Sequence, residues 1–181
     1  ERSFFDDYCV PISTARAGNV IGGGDFAQDR IIPDCIRAVL KGEKIIIRNP
    51  TSIRPYQHVL EPLFAYLMIA QNQYENNKYS GSYNIGPNDE NCISTGELVK
   101  LFCSIWGENI EWENMNSKGP HEAHFLKLDC SKLKSIFEWS PRWNIREAVQ
   151  KTCEWTRKWI DNGNIYEIMD RQIYEYLEGW N

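Results

Sequence analysis

The stretch ARAGNVIGGGDFAQDR, residues 15–30, places three consecutive glycines after a β-branched run. It formally satisfies the dinucleotide fingerprint G-x-G-x-x-A at Gly22, Gly24 and Ala27. In that fingerprint a helix starts inside the glycine motif, and the pyrophosphate binds at the N-terminus of this helix. Here such a helix would carry Pro33 deep in its interior, at a cost of about 3 kcal/mol. We therefore predict that these glycines form a turn at a strand end and do not bind a dinucleotide.

The bulk composition indicates a globular domain. The chain has 181 residues, of which 42% are apolar and 25% charged, and its formal net charge is −5. No basic stripe interleaved with aromatic residues is present, which argues against a nucleic-acid partner. No apolar run approaches the roughly 20 residues that span a bilayer, and the polar start ERSFFDDY lacks the layout of a signal peptide. We therefore expect no membrane association and a cytoplasmic location, and the missing initiator Met suggests a fragment.

The six cysteines are scattered along the chain without a C-x-x-C pair. This spacing favours neither a zinc site nor a redox dithiol, and predicts reduced structural thiols. We expect no bound metal.

Local signals predict alternating strands and helices. Residues 10–17 are predicted as a strand, residues 31–42 as a helix with Pro33 in its first turn and Gly42 at its end, and KIIIRN (44–49) as a short buried strand. A helix from residue 59 has apolar residues at helical spacing, and GSYNIGP (81–87) follows as a strand. EWEN (111–114) and HFLKLD (124–129) are candidate short strands. The apolar positions of the helix from residue 59 are Leu63, Tyr66, Leu67 and Ala70.

Two capping boxes mark further helix starts, at Ser94 with Glu97 and at Asn144 with Glu147. The second of these helices is predicted to end at DNGN (161–164). The overall order indicates a mixed α/β fold with small sheets. One face of the last helix is predicted to carry Ile145, Ala148, Val149, Thr152, Thr156 and Trp159.

Several short sequence motifs occur in the same order as in one protein family. They are RAGNVIGGGD with DRIIPDC (16–35), IRNPTSIRPYQHVLEPL (47–63), YNIGP (83–87) and HEAHFLKLDCSKL (121–133). Together they resemble the C-terminal half of the nucleotide-sugar 4,6-dehydratases, in the extended short-chain dehydrogenase/reductase family. The resemblance covers essentially the whole chain. The second and fourth motifs resemble those of the branch that acts on CDP-sugars. The resemblance implies the C-terminal part of an NAD(P)-binding Rossmann-like fold, with the last parallel strands followed by a small mixed α/β substrate-binding lobe.

The resemblance also implies a reaction. Such enzymes oxidise the sugar at C4 with bound NAD, eliminate water across C5 and C6, and return the hydride to C6, in deoxysugar and O-antigen lipopolysaccharide biosynthesis. Their glycine-rich NAD loop and their Tyr-x-x-x-Lys pair precede the segment present here. Tyr74 and Lys78 match that spacing, but they lie too far along the chain, so the match is accidental. We expect residues 1–181 to be a substrate-binding portion that has no catalytic residues and neither binds NAD nor is active by itself. For the full-length protein we expect bound NAD, a CDP-sugar substrate, and a homodimer or tetramer.

Two arginines are candidates for the substrate's diphosphate, because a guanidinium matches phosphate oxygens two at a time. By resemblance, Arg54 contacts the diphosphate or ribose from a loop at a strand end, and Arg30 lies against the nucleotide just before the predicted helix. For Arg54, an ordinary surface position is the alternative.

The strand-end motif supplies the next candidates. By resemblance, Asn19 hydrogen-bonds the phosphate or sugar, while the backbone at Gly18, Asn19 and Val20 approaches the nicotinamide carboxamide of the cofactor. The alternative for Asn19 is a turn-forming residue. The backbone around Ile47 and Arg48 lies beside the base in relatives.

A loop near residue 121 completes the list. His121 and Glu122 align with the loop that closes over the nucleotide, although a plain surface loop is nearly as good an interpretation. Other dehydratases have an Arg a few residues later, where this chain has Phe125. This difference argues against a second arginine contact to the nucleotide.

Two alternatives remain open. The chain can belong to a related nucleotide-sugar dehydratase or epimerase that uses another base. It can also be a non-catalytic nucleotide-sugar-binding module that has lost its Rossmann half.

Overall fold

The computed structural model describes residues 7–8, 10–107, 110–115 and 125–178. The strands are β1 (Thr14–Ala17), β2 (Asn19–Ile21), β3 (Ile45–Ile47), β4 (Ile53–Arg54), β5 (Tyr56–His58), β6 (Ser82–Ile85), β7 (Ile93–Ser94) and β8 (Trp112–Asn114). The helices are α1 (Ile31–Lys41), α2 (Leu60–Glu75), α3 (Thr95–Trp106), α4 (Ser131–Phe137), α5 (Ile145–Ile160) and α6 (Ile165–Leu177). Two short 3₁₀ turns lie at Asn77–Tyr79 and Asp89–Asn91.

The described strands pair two by two. Three pairs are parallel, β1 with β6, β2 with β5 and β3 with β8, whereas β4 and β7 are antiparallel. The chain passes from the first pair to the second at Gly18, whose N–H donates to the Ile85 carbonyl at 2.9 Å. A Cβ at Gly18 would lie 2.5 Å from the Pro55 carbonyl oxygen, so the crossing requires glycine. The mixed α/β prediction with parallel strands is confirmed.

The first predicted strand is shorter than expected. It begins at Thr14 instead of residue 10, and Val10 is exposed. Pro11 has no N–H to donate to a ladder, and β6 offers only four partner residues, from Ser82 to Ile85. The strand prediction at residues 10–17 is therefore right only for its last four positions.

The buried apolar residues form two clusters. The larger cluster packs α1, α3 and α5 against β2, β3 and β5, with Ile32, Cys35, Ile47, Phe102 and Val149 among its members. The smaller cluster packs α2 against β6 and the α4 region, and it includes Ala65, Tyr83, Leu133 and Trp139. The first cluster therefore fixes α1 and β3, which form two walls of the cleft described below.

Local helix signals are confirmed. Gly42 ends α1 with φ of 67°, a left-handed conformation that glycine adopts easily. Both capping boxes are present, with Ser94 and Glu97 at α3 and Asn144 and Glu147 at α5. The short helix α4 and the long C-terminal helix α6 were not predicted.

Side-chain burial differs from the simplest interpretation of three apolar patterns. On α2 the buried residues are Glu61, Pro62, Ala65 and Ile69, whereas the apolar positions that indicated the helix are exposed. This helix carries apolar residues on both faces, so its periodicity does not say which face turns inward. In β3 the middle residue Ile46 is 45% exposed, because strand side chains alternate between faces. The exposed α2 residues are Leu63, Tyr66, Leu67 and Ala70.

The third difference concerns Trp159, which is 41% exposed although it lies on the same predicted face of α5 as the buried Ala148 and Val149. Its ring packs on Phe26. HFLKLD also differs from its prediction, since Phe125 forms only an isolated bridge with Ile53 and no strand follows it through residue 129. EWEN does form a strand, β8.

Within the described ranges, no helix is long and apolar enough to cross a membrane. The five cysteines that the structure describes are free thiols, and burial raises the pKa of Cys153 to about 12. The described residues also contain no group of three or more His, Cys, Asp or Glu side chains suited to a metal ion.

Candidate functional site

Two of the three consecutive glycines are explained by close packing. A Cβ at Gly23 would lie 2.1 Å from the indole ring of Trp155, and one at Gly22 would lie 2.8 Å from a methyl group of Val59. Helix α1 begins only at Ile31, beyond the glycine motif. No described helix therefore starts on these glycines to hold a pyrophosphate, and the prediction of a strand-end turn is confirmed.

Residues 22–30, here called the glycine loop, are held by their own polar groups. One Asp25 carboxylate oxygen accepts from the Ala27 N–H at 3.0 Å, and the other accepts from the Arg30 guanidinium at 3.1 Å. Asp29 has φ of 59°, and its carboxylate pairs with Arg48. The loop thus carries the Arg30 side chain next to the N-terminus of α1.

An open cleft of about 1150 Å³ lies between the glycine loop, α1 and β3. The junction of β1 and β2 and the residues around Pro55 complete its wall. Five of the predicted site residues line it, although they come from three separate parts of the sequence. These residues are Gly18, Asn19, Val20, Arg30 and Arg54.

The described lining of this cleft carries an excess of positive charge, with six cationic and four acidic side chains, although the whole chain has a net charge of −5. Several cations have acidic neighbours: Arg37 pairs with Asp34, and Lys44 lies 2.8 Å from Glu111, whose hydrogen bond and charge raise the pKa of Lys44. The cleft therefore favours an anionic ligand. The cations are Arg30, Arg37, Lys41, Lys44, Arg48 and Arg54, and the acids are Asp25, Asp29, Asp34 and Glu43.

Sequence reasoning missed three of these cations, Lys44 and two residues of α1. Arg37 and Lys41 are four positions apart on α1, so they lie on one helix face, and both line the cleft. This spacing, on the helix that follows Arg30, was the signal that could have identified them.

Arg54 and Asn19 occupy different surroundings. Arg54 is the last residue of β4, is half-buried, and donates from Nη1 to the carbonyl oxygen of Ile53 at 2.9 Å. Asn19 is exposed at the start of β2, where it lies opposite Tyr56 in the parallel ladder. The Tyr56 hydroxyl is 3.1 Å from that of Thr95, and both residues contribute to the cleft wall.

The backbone of β3 offers a hydrogen-bonding edge to the cleft. The Ile45 N–H donates to the Glu111 carbonyl, and the Ile47 carbonyl accepts from Met115, so both residues pair with β8. Parallel ladders alternate, which directs the N–H and C=O of Ile46 to the opposite edge. Ile46 lines the cleft, so this edge can present one donor and one acceptor to a ligand.

Two predicted residues, His121 and Glu122, lie outside the described residues. Phe125, at the position where the family resemblance implies an Arg, is 57% exposed. The next residue along, Leu126, lines the cleft and donates its N–H to the Ile53 carbonyl at 3.1 Å.

For a nicotinamide cofactor, the described residues fit only one wall of a binding site. Gly18, Asn19 and Val20, which the cofactor prediction names, all line the cleft. However, the space that the missing Cβ of Gly18 leaves is filled by Pro55, and the space at Gly23 is filled by Trp155. The described residues can therefore contact a cofactor from one side, while its pyrophosphate requires other residues.

Comparisons with known proteins agree with this geometry. The model of the NAD dependent epimerase/dehydratase family matches residues 2–86. The chain is 42% identical over 174 residues to the CDP-glucose 4,6-dehydratase of Salmonella typhimurium, an alignment that covers 96% of this chain and 48% of that enzyme. It is 25% identical over 166 residues to the dTDP-D-glucose 4,6-dehydratase of Mus musculus, with 89% and 45% covered. The chain thus spans about half the length of the curated relatives it matches.

Solved structures share the fold. The dTDP-glucose 4,6-dehydratase of Bacillus anthracis in complex with NAD matches with a TM-score of 0.68 at 21% identity, over 86% of this chain and 48% of that one. The UDP-glucuronic acid 4-epimerase of Bacillus cereus, in complex with UDP-glucuronic acid and NAD, matches with a TM-score of 0.73 at 16% identity, over 87% and 49%. Residues 2–86 thus match the NAD dependent epimerase/dehydratase family model, and the chain shares its fold with nucleotide-sugar dehydratases and epimerases.

Proposed function

We propose that this chain forms the nucleotide-sugar-binding half of a CDP-glucose 4,6-dehydratase. In the complete protein, CDP-D-glucose is converted to CDP-4-dehydro-6-deoxy-D-glucose and water with the help of bound NAD, and the product feeds deoxysugar synthesis. The observation that carries the proposal is the 42% identity to the Salmonella enzyme across 96% of the chain.

The charge of the cleft supports a diphosphate ligand. Arg54 and Arg30 line the same cleft as Asn19, the first residue of β2. The cationic lining residues of this cleft outnumber the acidic ones. Guanidinium groups bind phosphate oxygens through two parallel hydrogen bonds, which gives both affinity and orientation. In this proposal Arg54 and Arg30 hold the two phosphates, and the Asn19 side chain contacts the phosphate or the sugar. His121 and Glu122 are proposed to close over the nucleotide.

The edge of β3 opposite β8, which no other strand of the described ranges occupies, supports a nucleobase beside it. Through its N–H and C=O, Ile46 can pair with the adjacent acceptor and donor on the edge of a pyrimidine. Such recognition uses main-chain groups, so it leaves little trace in side chains. The proposal therefore places the cytosine along β3 and the diphosphate toward the glycine loop.

The NAD-binding half is proposed to cover the side of the molecule opposite α4. Within the described part of the chain, β1 pairs with β6 along one edge, and no strand pairs with its other edge. Parallel strands normally lie inside a larger sheet that is buried on both faces. The outer face of α2 is likewise apolar and exposed, at Leu63, Tyr66 and Leu67. In the complete protein, additional strands extend β1 and a helix covers α2. The catalytic Tyr-x-x-x-Lys pair is proposed to lie in that half, and the assembled enzyme to be a homodimer or tetramer.

Isothermal titration calorimetry on the full-length protein tests the function. CDP-glucose, UDP-glucose, dTDP-glucose and GDP-glucose are titrated separately into protein whose NAD content has been measured. We expect the tightest binding for CDP-glucose, followed by release of the 4-dehydro-6-deoxy product on incubation. Tighter binding of another nucleotide would assign the chain to a different dehydratase or epimerase. Binding without turnover by NAD-loaded protein would identify a non-catalytic module.

A further inference from the structure

Phe26 attaches the middle of the glycine loop to α5. Its ring centroid lies 4.9 Å from that of Trp159 and 6.4 Å from that of Trp155, with tilted geometry in both cases. Phe26 remains 56% exposed and Trp159 remains 41% exposed. This contact therefore lies at the surface and belongs to neither of the two buried clusters.

The backbone of the same loop is held from the other side by α1. The Arg37 guanidinium donates to the Phe26 carbonyl at 3.0 Å and to the Ala27 carbonyl at 2.9 Å. Arg37 is itself paired with Asp34 on the preceding turn of the helix. The loop is thus fixed between α5, through a ring, and α1, through two hydrogen bonds.

The anchored segment determines where Arg30 lies. Asp25 directly precedes Phe26, and one of its carboxylate oxygens accepts from the Ala27 N–H, so its orientation depends on the conformation of residues 25–27. The other oxygen of Asp25 accepts from the Arg30 guanidinium. The contacts therefore run from the α5 indoles through Phe26 and Asp25 to the Arg30 cation on the cleft.

We propose that Phe26 is a positioning residue for Arg30 in nucleotide-sugar binding. The proposal rests on the proposed function, because it requires that Arg30 contacts the diphosphate. The chain before Phe26 contains Gly22, Gly23 and Gly24, which have no side chains, so the Phe26 ring adds an apolar anchor on α5 to the two Arg37 hydrogen bonds. Without it, Arg30 must be ordered when the ligand binds, and affinity falls by that cost.

A double-mutant cycle in full-length, NAD-loaded protein tests this inference, with the Kd for CDP-glucose measured by calorimetry. We expect Phe26→Ala to raise Kd about five-fold in the wild-type background and less than about two-fold when Arg30→Ala is already present, because residues of one network are not additive. Phe26→Leu keeps an apolar side chain against the indoles, and we expect it to restore most of the affinity. Tyr166→Ala removes an exposed aromatic ring of α6 and is the control that leaves Kd unchanged.

Each failure has its own meaning. An equal effect of Phe26→Ala in both backgrounds, or no effect in the wild type, would overturn the positioning role. If Arg30→Ala left Kd unchanged while Arg54→Ala raised it, the positioning role would fall and the proposed function would stand. If the wild-type protein bound no CDP-glucose, both would fall.

Discussion

The Tyr176 hydroxyl donates a 2.8 Å hydrogen bond to the carboxylate of Glu61, which lies 115 positions earlier in the sequence. The second Glu61 oxygen accepts from the backbone N–H groups of Arg142 and Trp143, at 2.9 and 2.8 Å. Glu61 is fully buried, and this burial raises its pKa despite the three hydrogen bonds. One carboxylate thus joins the start of α2, the segment before α5, and the C-terminal helix α6.

This arrangement predicts a graded series of stability changes. Glu61→Ala removes the acceptor of one buried and two part-buried hydrogen bonds and should lower the free energy of unfolding by about 3 kcal/mol. Glu61→Gln keeps one acceptor oxygen for both N–H groups and should cost less, since Tyr176 can turn its hydroxyl to accept from the new amide. Tyr176→Phe deletes a single donor and should cost about 1 kcal/mol. Chemical denaturation followed by tryptophan fluorescence measures the series, and equal losses for all three variants would contradict it.

A neighbouring buried group predicts acid sensitivity. His58 is 2% exposed, its ring makes a T-shaped contact with that of Trp143 at 4.8 Å, and its Nε2 has no hydrogen-bond partner within the described part of the chain. Burial, with a smaller contribution from the Lys151 charge, lowers the pKa of His58 to about 3. Since the unfolded chain binds this proton near pH 6.5, stability should fall as the pH drops from about 6.5 toward 3, by up to about 1.4 kcal/mol per pH unit.

The measurement compares the wild type with His58→Phe between pH 8 and pH 4. Other groups titrate equally in both proteins, so the difference in slope isolates His58. The variant should lose the part of the acid-induced loss of stability that His58 causes. Near pH 8 its stability should change little with pH. Parallel curves for the two proteins would show that His58 is already accessible to protons in the native state.

The glycine loop gives a steric prediction. An added methyl group at Gly23 would lie 2.1 Å from the Trp155 ring, and this glycine does not require a positive φ. Gly23→Ala should therefore cost about 1 to 3 kcal/mol through overpacking alone. Trp155→Leu on the same chain makes room for the methyl group, so the two changes together should cost less than the sum of their separate effects. Thermal unfolding of the four proteins measures this coupling, and strict additivity would mean that the indole does not limit the loop.

Sequence reasoning succeeded where the determining contacts are local. The end of α1 at Gly42 and the capping boxes at Ser94 and Asn144 each depend on a few neighbouring residues, and all three were predicted. The inner face of α2 was not predicted, because the burial of Glu61 depends on Tyr176 and on the segment before α5. The role of the glycines likewise depends on an indole more than 130 positions away, although their failure to start a helix followed from Pro33.

The candidate site shows the same division. Arg30, Arg54 and Asn19 came from family resemblance, and the structure brings them to one cleft although they lie in separate elements. Arg37 was missed because an arginine three positions after an aspartate on a helix usually forms a solvent-exposed ion pair with it, as Arg37 does with Asp34. The edge of β3 opposite β8 was suggested only by resemblance, since backbone direction depends on the pairing of β3 with β8.

The outer face of α2 predicts how the isolated chain behaves. Leu67 is 71% exposed, and the proposed NAD-binding half covers it in the complete protein. Leu67→Glu should therefore reduce self-association of the isolated chain without lowering its melting temperature, and should destabilise the full-length protein. Light scattering and thermal unfolding report the two effects. Tyr74→Glu, at the exposed end of the same helix, is a matched control. An unchanged full-length protein would place the NAD-binding half elsewhere.

The arginines of the cleft predict a hierarchy in substrate binding. In the full-length protein, Arg54→Ala should weaken CDP-glucose binding by about 1.5 to 3 kcal/mol, the scale of a charge-assisted hydrogen bond. Arg54→Lys should recover only part of this loss, because an ammonium group cannot donate through a planar fork. The Arg30 side chain is 63% exposed and already pairs with Asp25, so Arg30→Ala should cost less, and its effect should shrink as salt is raised.

Calorimetry at two salt concentrations measures these differences, with Arg146→Ala as a control, since that exposed arginine of α5 lies outside the cleft lining. All variants should retain their NAD content, because the proposed cofactor contacts at Gly18, Asn19 and Val20 involve backbone and the pyrophosphate is held by the other half of the protein. Unchanged affinity in a folded Arg54→Ala protein would show that Arg54 is a surface residue. The diphosphate would then have to bind nearer Arg37 and Lys41, the other cations of the cleft on α1, and the corresponding alanine variants would test that position.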